Sequence, residues 1–96
     1  MSEVTDLKQK IQQQLAGIND RTQLRLINRI IDRLEEVEQC LKHNEPSLTR
    51  GNDATFYKNE IDLESLPSAT GREHLQELVG NAITLLEDME GKLPKS

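Results

Sequence analysis

Seven aliphatic side chains, Leu24, Ile27, Ile30, Ile31, Leu34, Val37 and Leu41, recur on one side of a 3.6-residue period. That spacing predicts an amphipathic helix over residues 20–43, whose apolar stripe must find another apolar surface to cover it. Asp20 followed by Gln23 resembles a capping box at its start. Asn44 is placed to cap its end, and Pro46 cannot continue the backbone ladder.

Two further stripes flank this one. Val4, Leu7, Ile11 and Leu15 predict a first helix over about 3–16, with Ser2 as its cap and Gly17 placed to end it in the left-handed conformation. Thr70 and Glu73 form a second capping box ahead of Leu75, Leu78, Val79, Ala82, Ile83, Leu85, Leu86 and Met89, predicting a third helix over about 71–91. At about 100° per residue the third stripe spans roughly 160° of its helix and the first only about 80°, so the third helix must touch two neighbours.

With 96 residues there is room for one domain. Fourteen Leu and seven Ile, no Trp, one Phe and one Tyr make its core aliphatic. The expected fold is all-α: a small three-helix bundle over residues 1–96, an αα-hairpin of the first two helices plus a third after a long connection. So small a domain buries only about 60 to 65% of its unfolded surface, and oligomerisation is the natural supplement to its stability.

The connection, residues 44–70, exceeds the roughly 12 to 15 residues beyond which a structureless loop becomes unusual. Pro46, Gly51, Asn52, Pro67 and Ser68 are breakers, yet the segment also holds both aromatics, Phe56 and Tyr57, and then Ile61, Leu63 and Leu66. Each large apolar side chain left in water gives up about 1.5 to 3 kcal/mol of available burial. The segment is therefore expected to pack on its own bundle, with an element that binds a partner as the competing reading.

Twelve Lys and Arg against seventeen Asp and Glu give a net charge of −5, which opposes the counterion release behind nucleic-acid binding. Arg21, Arg25, Arg29 and Arg33 nevertheless stand at four-residue steps on the second helix and predict a basic ladder opposite its apolar face. Glu35, Glu36 and Glu38 follow, an order of charge that opposes the helix dipole. An antiparallel contact with a second copy would set the arginine half of one helix against the glutamate half of the other, as a two-fold dimer requires. Within the helix, Arg29 with Asp32 and Arg33 with Glu36 are candidate local pairs.

Chemistry-bearing groups are sparse. Cys40 and His43 lie three apart with no orienting acid, and one Cys with two His offers no zinc spacing. Glu87, Asp88 and Glu90 read as a solvated face, and Gly80 as a mid-helix glycine on the polar side, where another helix could approach closely. No glycine-rich phosphate cradle is present. No catalytic residue, cofactor, metal or small-molecule substrate is expected. The start MSEVTDLKQK and the lone cysteine point to the cytoplasm, with no membrane span.

The expected function is a non-enzymatic protein–protein interaction module, a homodimeric helical bundle that offers an apolar groove or the 44–70 connection to a protein partner. Arg21, Arg25, Arg29, Arg33, Phe56, Tyr57, Ile61, Leu63 and Leu66 are the candidate partner-binding residues. The alternatives are an acidic, antitoxin-like inhibitor that neutralises a basic surface, and a small helical chaperone or scaffold.

Overall fold

A computed structural model describes residues 3–46, 53–66 and 75–94. Along the chain run α1 (Glu3–Gln12), a 3-10 turn (Leu15–Gly17), α2 (Arg21–Lys42), α3 (Asp53–Glu60), a second 3-10 turn (Leu63–Ser65) and α4 (Leu75–Gly91). Every regular element among the described residues is a helix, with four α-helices where the sequence predicts three. The Thr70 and Glu73 capping box, and residues 71–74 of the expected third helix, lie outside the described residues.

The first helix is shorter than its apolar spacing suggests. After Gln12 the ladder tightens to three-residue hydrogen bonds, Gln14 N to Ile11 O at 2.9 Å, Gly17 N to Gln14 O at 3.2 Å and Ile18 N to Leu15 O at 3.0 Å. The tighter winding keeps Leu15 and Ile18 packed against the core as the chain turns toward α2. Gly17 does not take the expected left-handed conformation, because the 3-10 turn ends the helix without it.

Capping sets the limits of α2 at both ends. The Asp20 side chain accepts from Thr22 N at 2.9 Å and Gln23 N at 3.2 Å, satisfying two of the first-turn donors. At the other end Asn44 has φ 54°, with Asn44 N bonded to Leu41 O at 3.2 Å and Glu45 N to Cys40 O at 2.8 Å. This is the Schellman arrangement, with Asn in the left-handed place that glycine usually fills.

The core is one aliphatic cluster, in which Ile11, Ile27, Ile30, Leu34, Val37, Leu75, Val79 and Leu86 are the most completely enclosed large side chains. The wide apolar arc of α4 is used in full: α4 packs against α1, α2, α3 and the second 3-10 turn. The two neighbours expected from its arc are thus joined by a third, supplied by the connection.

The connection is built onto the bundle. Ala54, Tyr57, Ile61 and Leu66 are buried, while Leu63 is half-buried. Polar contacts pin it at intervals. Ala54 N donates to Glu90 Oε1 at 3.0 Å, Asp62 N to Gln23 Oε1 at 2.9 Å, and Gln76 Nε2 to Leu66 O at 3.0 Å. Docking on its own core, the preferred of the two readings, is what the described residues of this segment do.

Candidate interaction surfaces

The arginine ladder divides where its own geometry makes it divide. Each four-residue step overshoots a helical turn by about 40°, so by Arg33 the row has wound about 120° away from Arg21. Arg21, Arg25 and Arg29 stay exposed, but Arg33 turns inward and its side chain is 4% exposed. The expectation that all four stand opposite the apolar face is corrected at this residue.

Burial of the Arg33 guanidinium is matched by a buried acid. Its Nε and Nη2 donate to Glu90 Oε2 at 3.3 and 3.1 Å, and Nη1 donates to Glu36 Oε1 at 2.9 Å. The Glu90 side chain is 6% exposed, so it is not part of the solvated acidic face expected for it with Glu87 and Asp88, which are exposed. Its second carboxylate oxygen receives Ala54 N in the first turn of α3, a position where the helix dipole favours negative charge. One carboxylate thus ties α4 to both α2 and α3. The pairing of Arg33 with Glu36 follows the local spacing, whereas no ion pair joins Arg29 to Asp32 among the described residues.

Two of the three glutamates expected to face a second copy are engaged within the chain. Glu35 accepts from Lys8 Nζ at 3.1 Å, linking α1 to α2, and Glu36 holds Arg33. Arg21, Arg25 and Arg29, by contrast, make no ion pair among the described residues.

Of the apolar candidates, Tyr57, Ile61 and Leu66 belong to the protein's own core, and Leu63 is partly buried against it. Phe56 is half-exposed and meets Tyr57 edge-on, with ring centroids 5.5 Å apart. Open grooves flank α4 on two sides. One, about 560 Å³, runs between α1 and α4 and is bordered by Glu3, Asp6, Lys10, Glu77, Asn81 and Asp88, with Asp6 and Lys10 bridged at 3.1 Å. The other, about 440 Å³, lies between the connection and α4. Its floor is Leu63, Gly80 and Ile83, and its rim carries Asp62, Glu64 and Glu87. Lys58 also stands on that rim.

The chain matches no protein-family model, no curated protein and no solved structure. Its surfaces are therefore read from their own chemistry. Cys40 is half-buried and His43 exposed at the end of α2. Among the described residues no cluster of His, Cys, Asp or Glu is arranged to hold a metal ion, and no helix is long and apolar enough to cross a membrane.

Sequence reading missed Gln23 and Glu90 as structural anchors. Gln23 reads as a capping-box residue and Glu90 as part of a solvated acidic face. The one available signal was angular: Gln23 falls in the middle of the apolar stripe of α2, about 200° from Arg21.

Proposed function

We propose that this chain is a non-enzymatic protein–protein interaction module that associates with a second copy of itself, with Arg21, Arg25 and Arg29 as the driving surface. The observation that carries this reading is the contrast along one helix. Arg33 is paired and buried, while the three arginines before it stand on a helix capped at both ends and have no ion pair among the described residues. The chain that presents them carries a net charge of −5, so a second copy offers abundant carboxylates. A row of fixed like charges on a rigid element attracts an oppositely charged surface at little conformational cost. The lone half-buried thiol of Cys40 suits a reducing compartment, and the cytoplasm is the proposed setting.

Because exposed charges carry the contact, salt controls it. Sedimentation at tens of micromolar should show association at about 0.01 M salt and separation into monomers at about 1 M, as the Debye length falls from about 30 to about 3 Å. A monomer at both salt concentrations would exclude self-association.

A further inference from the structure

Among the described residues, packing does not require glycine at position 80. Among the described residues a Cβ built there meets only Leu63 Cδ1 at 3.9 Å, an ordinary contact, so alanine would fit. Glycine within a helix is destabilising relative to alanine. Gly80 lines the groove between the connection and α4 together with Leu63 and Ile83, and adds no side chain to it. Three carboxylates, Asp62, Glu64 and Glu87, and one cation, Lys58, border this groove, which leaves it net acidic, and none of the four makes an ion pair among the described residues. The molecule therefore presents two complementary features, three arginines on a ridge and three carboxylates around an apolar-floored trough.

From this complementarity we infer that the groove over Gly80 receives the Arg21, Arg25 and Arg29 ridge of a second copy. The inference rests on the self-association reading and names the receiving surface. The ridge lies opposite the buried face of α2, the face packed on α4, so it cannot fold into the groove of its own molecule. The glutamate end of α2 is the poorer receiver, since Glu35 and Glu36 already hold Lys8 and Arg33. Over the groove, the aliphatic stems of the arginines cover Leu63 and Ile83 while their guanidinium groups reach the carboxylate rim. The absence of a side chain at Gly80 lets the incoming helix approach closely.

The contact joins two different patches, so one copy with only a ridge and one with only a groove suffice to make it. The test uses the full chain in four forms at low salt: wild type, R21Q/R25Q/R29Q with the ridge neutralised, Gly80→Leu with the groove filled, and Gly80→Ala. The ridge variant and Gly80→Leu should each sediment alone as a monomer, and an equimolar mixture of the two should form a one-to-one complex. Gly80→Ala should melt at or above the wild-type temperature yet associate several-fold more weakly, a pairing of effects that a purely structural glycine would not give. If wild type associates and Gly80→Leu associates equally well, the groove assignment is overturned while self-association stands. If wild type does not associate at all, both fall.

Discussion

The Arg33 guanidinium is taken out of water together with the Glu90 carboxylate, and every donor nitrogen of the one and both oxygens of the other find a partner. Removing one member leaves an uncompensated buried charge, so Arg33→Ala should cost about 3 to 5 kcal/mol in urea unfolding. Arg33→Met combined with Glu90→Leu should recover most of that loss, since a well-packed apolar pair replaces a buried ion pair at little net cost. The recovery should stop short by about 1 to 3 kcal/mol, because Ala54 N loses its acceptor. Equal losses in the single and double variants would show that the pair contributes nothing through charge. At Asn44, where φ is 54°, the backbone itself is the constraint. Asn44→Val should destabilise by about 1 to 2 kcal/mol and Asn44→Gly should be neutral or slightly stabilising, read from the same denaturation curves. The left-handed end was legible in the sequence from Asn44 before Pro46. The inward turn of Arg33 was legible too, but only by following the 40° drift along the ladder.

Among the elements, α3 depends most on the rest of the molecule. Its eight residues fall below the roughly 12 to 15 at which isolated helices become even marginal in water. It is held through Ala54, Tyr57 and Ile61 on one side and through the Glu90 contact at its start. Its sequence conceals it, because exposed Phe56 stands beside buried Tyr57 and blurs the apolar stripe that would announce a helix. Hydrogen exchange should therefore find the α3 amides opening well below the free energy of global unfolding, with α2 and α4 the last to exchange. Gln23→Ala should speed exchange at Asp62 and through the second 3-10 turn while leaving α2 protected. Unchanged exchange there would mean that the Gln23 contact does not hold the connection. The Asp20 and Gln23 pattern was only half informative. Asp20 caps the helix as expected, but Gln23 turns away from the capping box to accept Asp62 N, a partner 39 residues further along the chain.

At the scale of the whole molecule, stability rests on one shared aliphatic core with α4 against every other α-helix. Ile30, 1% exposed in the middle of α2, lies where a cavity cannot collapse onto solvent. Ile30→Ala should cost about 2 to 5 kcal/mol, and its circular-dichroism and near-ultraviolet unfolding transitions should coincide. Separate transitions would mean that the connection and the bundle do not share a cooperative core. By itself, the sequence determined the all-helical class, the long central helix and the aliphatic character of the core, because periodicity at 3.6 residues is a local property that each segment carries alone. Only the tertiary structure decided that residues 53–60 of the connection form a fourth helix, that Arg33 and Glu90 meet 57 positions apart, and that Gly80 lines a groove beside Leu63 and Ile83. Those outcomes depend on which distant groups come within hydrogen-bonding or packing distance, and no single segment contains that information.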